Sequence, residues 1–254
     1  LLLAPRGNLA KPSLIHGITM DTRKPPENHP KTFTGKLLSI GSNPKINKSD
    51  KSGKGFKTAI LHLSPYKLSG KNLCPHASQG CIKGCLNTSG HGRFDKTQEA
   101  RLKRSRFFIE DKFKFMNQLI KEIEAFERHC KKRDLKPAVR LNGTSDIPWE
   151  NIKLQNPEKT WSPLINIFEY FPGVQFYDYT KSKKRALSET LPQNYHLTFS
   201  RSEVTSNDDL WSVIKSRTSC AVVFKNSIPE TFEGFQVIDG DKTDLRFLDP
   251  QGFI

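Results

Sequence analysis

From residue 137 onward five segments share one local pattern: "KPAVRLNGTSD", "GVQFYDYTK", "YHLTFSRSE", "SCAVVFKNS" and "FQVIDGDKTD" are each a β-rich run that turns polar at its carboxyl end. Helix-compatible stretches such as "TWSPLINIFEYF", "KKRALSE" and "NDDLWSVIKS" separate several of them. Strands alternating with helices predict a parallel sheet whose crossovers cover it. The apolar run "KTAILHLSPY", ended by Ser64 and Pro65, brings the count to about six βα units. That number points to an α/β fold of parallel (β/α) barrel-like or partial-barrel form rather than a small doubly wound sheet.

The preceding chain reads differently. Residues 1 to 35 carry Pro5, Pro12, Pro25, Pro26 and Pro30 with little periodicity, which predicts an extended N-terminal arm. "NPKINKSDKSGKGFK" follows as a basic loop. It has a Gly-Lys pair but neither the first glycine nor the Ser or Thr of a phosphate-binding loop. The expected organisation is therefore an arm and basic loop over 1–56 and a single barrel-like domain over 57–254. Within that domain Asp95 and Gln98 stand at capping-box spacing. The apolar positions Ile109, Phe113, Met116, Ile120, Ile123, Phe126 and Cys130 then step by three and four, predicting one long helix with a buried face.

Lys and Arg exceed Asp and Glu by 15, the electrostatic footprint of a partner bearing phosphate, so nucleic acid or a nucleotide is the expected partner. The opening "LLLAPRGN" is broken by Pro5 before it can form a signal or spanning segment, and no later run is long enough to cross a bilayer. The chain reads as cytoplasmic, without membrane contact. It begins on Leu1 and reads as a piece of a longer protein. An odd count of five cysteines at uneven spacing fits a reducing compartment better than a disulfide framework.

Three of those cysteines, Cys74, Cys81 and Cys85, lie in "CPHASQGCIKGCLNTSGHG" among turn-forming residues that would let a loop fold around an ion. Thiolates are soft ligands that select zinc or iron–sulfur. With His76 or His91 they would complete a tetrahedral zinc site; alone they would hold three irons of a cubane and leave the fourth open. Unligated, partly buried thiols are the bland alternative.

The strand ends form a second constellation. Asn142 and Asp146, Asp178 and Lys181, Arg201, Asp239 and Asp241 all follow β-rich runs, where a parallel sheet places its site. Asp146 and Asp178, with Asn142 and Lys181, are the expected catalytic groups; Arg201, Asp239 and Asp241 are expected to contact substrate. Ordinary turn chemistry would also place Asp, Asn and Ser there. Asp146, Asp178 and Asp239 together could instead hold Mg²⁺ for a nuclease. Arg101 and Arg104 in "RLKRSR" share a helix face and extend a positive patch beside the cysteine loop, suited to phosphate. No H-E-x-x-H or G-x-S-x-G pattern occurs.

A three-cysteine loop directly after the first strand of a (β/α) barrel resembles the arrangement of radical-SAM enzymes, whose cysteines have three and then two intervening residues where this chain has six and three. The resemblance implies an iron–sulfur cluster with S-adenosylmethionine. "CPHASQGCIKGCLNTSGHGRF", "RLKRSRFFIEDKFKFMNQLIKEIEAF", "KPAVRLNGTSDIPWE", "GVQFYDYTK", "NYHLTFSRSE" and "VIDGDKTDLRFLDP" resemble an uncharacterised family of bacteriophages, prophages and plasmids. That resemblance implies a phage setting near replication or nucleotide metabolism. The leading expectation is a phage-type metalloenzyme acting on a nucleotide or nucleic acid; the alternatives are a zinc-stabilised nucleic-acid-binding protein and the Mg²⁺-dependent nuclease.

Overall fold

The structure is a computed structural model that describes residues 33–41, 44–154, 165–250 and 252–254. The segment expected to be an extended arm lies outside these residues up to position 32. The described chain forms six strands in one sheet, β1 (Leu38–Ile40), β2 (Phe56–Leu61), β3 (Lys136–Arg140), β4 (Gln175–Thr180), β5 (Tyr195–Ser200) and β6 (Cys220–Ala221), in that spatial order. All neighbours from β2 to β6 are parallel, and β1 runs antiparallel on the β2 edge.

Mixed α/β architecture with a mostly parallel sheet is thus as the βα alternation predicts. Among the described residues the sheet runs from β1 to β6 without a closing pair, an order that a partial barrel and an open sheet share. One expectation is corrected. "FQVIDGDKTD" adds no parallel strand: Phe235–Gln236 (β8) pairs antiparallel with Thr231–Phe232 (β7) in a separate hairpin, and the polar residues that follow form turns. Its Gly-Asp-rich second half cannot sustain a strand.

Parallel strands placed side by side in chain order, each joined by a right-handed crossover, put their helices on one face. Here α3 (Asp95–Glu110) and α4 (Lys112–Lys131) join β2 to β3, α5 (Ile167–Tyr170) precedes β4, α6 (Lys183–Ala186) joins β4 to β5, and α7 (Asn207–Lys215) joins β5 to β6. Phe115, Leu119, Ile123 and Phe126 of α4 pack against Val139, Leu141, Phe176 and Leu197 in one core. Leu210, Val213 and Ile214 of α7 cover Phe199 and Cys220.

The single helix expected over 95–131 is two. Asp111 interrupts it with a non-helical backbone and caps α4 by accepting from the Lys114 amide at 2.9 Å. This break resets the helical phase, so Phe115 and Leu119 enter the core while Phe113 stays exposed. The Asp95–Gln98 capping box does not form, because Phe94 occupies the cap and the Gln98 amide donates to the Asn87 carbonyl instead. Glu122 of α4 accepts the amides of Leu37 and Leu38, which holds β1 at the sheet edge.

Among the described residues the opposite sheet face has no crossover helix. It is covered by the C-terminal segment, where Leu245 and Phe247 pack with Ala138, Tyr177 and Phe56. α1 (Pro44–Asp50), inside the segment read as a basic loop, lies beside that cover: the Ser49 hydroxyl accepts from the Asp244 amide at 2.7 Å.

Gly143, just beyond β3, sits where a Cβ would come within 2.6 Å of the Ile60 side chain and 2.7 Å of the Leu61 carbonyl. Gly143→Ala therefore overpacks the β2–β3 junction. We expect a loss of about 1–3 kcal/mol in urea unfolding, and an unchanged midpoint would contradict this packing.

Candidate functional site

The carboxyl ends of β2, β3, β4 and β5 meet beneath the cysteine segment. After Cys74 the chain turns into α2 (Gln79–Lys83), which Ser78 caps by accepting from the Cys81 amide at 3.1 Å. Glu203, from the loop after β5, receives the Ser78 hydroxyl at 2.7 Å and the Gly80 amide at 2.6 Å, and these bonds hold its carboxyl below its ordinary range. A Cβ at Gly80 would collide with that carboxylate. On the other side the Asp146 amide donates to the Leu73 carbonyl at 2.9 Å. The cysteine loop is thus tied both to the loop after β3 and to the loop after β5.

The three thiols are unpaired and half-buried. The Cys74 sulfur accepts from the Tyr66 amide at 3.3 Å and contacts the Thr144 carbonyl at 3.7 Å. Cys85 accepts from the Asn87 amide at 3.5 Å. Burial, then the nearby Cys85, Asp146 and Cys81, pushes the Cys74 thiol up to about 11, against the Tyr66 amide. Burial also raises Cys81, opposed by Lys181 and reinforced by Cys85, Glu203 and Asp146. The three sulfurs therefore lie within electrostatic range of one another.

Among the described residues, no three His, Cys, Asp or Glu side chains are yet arranged to share an ion. The donor set nevertheless suits a soft metal. Mutually repelling thiolates are what a cation neutralises, and backbone N–H bonds to sulfur are a device for tuning cluster thiolates. His91 is exposed and packs on the Phe94 ring at 5.7 Å, and neither it nor His76 is among the groups whose charge bears on Cys74 or Cys81.

The remaining expected residues divide by position. Asn142 is buried with both ends of its amide engaged: Oδ1 accepts from Ser145, the Ile147 amide and Trp149, while Nδ2 donates to the Ile147 carbonyl and Asp178. Asp178 accepts the Asn142 amide at 2.7 Å and the Tyr195 hydroxyl at 3.2 Å. It was expected to face a barrel mouth, but it is enclosed beneath the loop. Asp146 pairs with Arg185 at 2.5 Å and accepts from Thr180 and the Lys181 amide. The Lys181 ammonium reaches the Ser200 hydroxyl at 3.1 Å and stands beside Cys81.

Arg101 is buried and donates to Asn87 at 2.7 Å, with its charge directed toward Cys85. Arg104 donates to the Lys36 carbonyl at 2.8 Å. Arg101 is therefore turned into the protein, whereas Arg104 stays half-buried at the surface. The Arg201 guanidinium lies over the Phe232 ring, 5.6 Å from its centre. Asp239 and Asp241 lie elsewhere. The Asp241 carbonyl accepts from Lys48 of α1 at 3.0 Å, which places both beside the amino end of β2, remote from the cysteine loop. Asp146, Asp178 and Asp239 thus do not share one site.

Several groups were missed by sequence reasoning. Arg185 bridges Asp146 and Glu150, whose carboxylate accepts at 2.7 and 3.0 Å. On the face opposite the helices, Arg140 pairs with Asp244 at 3.3 Å, and Tyr177 and Tyr179 donate to the same carboxylate. His62 and His196 lie on that face, held neutral chiefly by burial, their values lowered to about 3 and about 4. The one available signal was Arg140, a charge inside the β-rich "KPAVR".

A mostly parallel α/β sheet with a thiol-rich loop over its carboxyl end defines the class of protein. The family described as Gene product 88 matches residues 36–254, and the chain belongs to this uncharacterised phage-type family. Comparison with curated proteins and with solved structures returns no match. Among the described residues no helix is long and apolar enough to cross a membrane.

Burial raises Asp178 to about 7 against the attraction of Arg140. A carboxyl whose folded value exceeds its unfolded one stabilises the fold at low pH, and that contribution is lost as pH rises through the folded value. The parent chain should therefore lose stability between about pH 4 and pH 7 relative to Asp178→Asn. Parallel pH profiles of the two urea midpoints would contradict this.

Proposed function

We propose that this is a phage-type metalloprotein whose Cys74, Cys81 and Cys85 hold an iron–sulfur cluster, and that it acts on a nucleotide or nucleic acid at the carboxyl end of the sheet. One observation carries the reading. Three unpaired, half-buried thiols stand in one segment over that end of the sheet, with backbone N–H donors 3.3 Å from the Cys74 sulfur and 3.5 Å from the Cys85 sulfur. The sequential order β2 to β6 is that of part of a (β/α) barrel, in which the site lies at this end. When bound, the cluster would supply redox or Lewis-acid chemistry, with an open iron available to a ligand such as S-adenosylmethionine.

In this reading Lys181 supplies positive charge beside Cys81, opposing the burial that raises its thiol. Asp146, fixed by Arg185 and Thr180, positions Lys181 through its backbone amide. Asn142 and Asp178 act as positioning residues beneath the loop. A zinc site closed by His76 or His91 is the second reading, and it requires one of these exposed histidines to swing toward the sulfurs.

Anaerobically purified protein should be brown, with iron and acid-labile sulfide in comparable amounts, and Cys81→Ser should lose most of both. Colourless protein holding one zinc would replace the cluster by the zinc reading. Protein with neither metal, whose three thiols react freely with a thiol reagent under native conditions, would sink both.

A further inference from the structure

At the end of the sheet away from the thiols, the C-terminal segment and the loop after α1 enclose a cleft of about 430 Å³. Its walls are of three kinds. Lys54 and Lys242 stand at the mouth, both exposed and without an ion pair among the described residues. Ile238 and Leu248 supply apolar surface. Arg246 and Asp239 line it as well.

Arg246 is 7% exposed, an unusual depth for a guanidinium beside a cleft. Its Nη1 pairs with Asp249 at 3.0 Å, and its Nη2 donates to the Thr243 carbonyl. Its Nε–H is buried and has no partner. A spare, desolvated guanidinium donor costs stability unless something accepts from it. Asp239 uses one carboxylate oxygen to receive the Asp241 amide at 2.9 Å, which leaves the other oxygen as an acceptor.

We infer that this cleft binds a mononucleotide, with its phosphate between Lys54, Lys242 and Arg246. Two exposed ammonium groups and the one guanidinium N–H that Asp249 and Thr243 leave over are donors of the kind a phosphate monoester accepts from, with Asp239 and Asp249 as the acidic groups on the same walls. The apolar wall accepts the base, and the open Asp239 oxygen accepts a ribose hydroxyl or an exocyclic amine. The volume lies in the range of roughly 300–1,000 Å³ typical of small-molecule sites. An inorganic phosphate would leave most of it empty. This site is separate from the thiol loop, and its occupancy does not rest on any metal there.

Isothermal titration with AMP, adenosine and inorganic phosphate tests the assignment. AMP should bind at least tenfold more tightly than either adenosine or phosphate. Changing both mouth lysines, Lys54→Ala with Lys242→Ala, should weaken AMP at least tenfold while leaving the thermal unfolding midpoint in place, since both side chains are exposed. Arg246→Lys should weaken AMP as well. Cys81→Ser should bind AMP like the parent chain, so loss of the metal reading leaves this one standing. AMP affinity unmoved by the double lysine change overturns the proposal, and so does equal affinity for AMP and adenosine. Phosphate binding as tightly as AMP overturns its nucleoside part.

Discussion

The buried carboxamide of Asn142 organises the end of the sheet on which the candidate thiol site stands. It sits two residues past the end of β3, and it satisfies groups from both the β3 loop and β4. A buried amide in this position is costly unless every donor and acceptor is met, and here each has a partner. The consequence is a rigid turn. It fixes Trp149 in the core against Phe108 and Phe115, and it presents the Asp146 backbone amide to the carbonyl of Leu73, the residue before Cys74.

From that turn the order passes outward through charge. Asp146, Arg185 and Glu150 form a chain of ion pairs, and Arg185 also donates to Tyr195, which donates to Asp178. Partly buried networks of this kind are worth more in specificity than in net stability, because breaking one member strands the others. They explain how a segment with only short helices can hold three cysteines: before Cys74 and again before Cys81 it is anchored to loops that are themselves held. Glu203 completes the arrangement from β5.

Much of the sheet was legible because each strand is an apolar run bounded by turn residues, and period and length suffice to recognise those. The Asp111 break was not legible. The apolar spacing continues through it, and only the competition between a side-chain cap and helix continuation marks the boundary. "FQVIDGDKTD" misled for the opposite reason: its first four residues have β propensity, but the C-terminal segment is needed to cover a sheet face that has no crossover helix among the described residues. That need is a property of topology, invisible in local pattern. In the candidate site, the three cysteines and Lys181 were legible as chemistry, whereas the roles of Asn142 and Asp178 were not. A polar residue after a β-run looks the same in sequence whether it faces solvent or closes a buried turn.

Net charge says nothing of how the basic residues divide between interior and surface, and here that division is marked. Arg101, Arg140, Arg185 and Arg246 are all withdrawn from solvent into hydrogen bonds or ion pairs with Asn87, Asp244, Asp146, Glu150 and Asp249. Arginine tolerates such sites because its planar fork stays charged and is weakly hydrated, whereas a lysine there would tend to shed its proton. Four carboxylates, those of Asp244, Asp146, Glu150 and Asp249, are withdrawn with them, so the net positive excess stays with the rest of the chain. The excess that remains outside is carried more by lysines, which are point charges on flexible stems. Such groups attract phosphate without reading its surroundings. Selectivity for a particular nucleotide must then come from the fixed groups, the buried arginines and the shaped walls behind them.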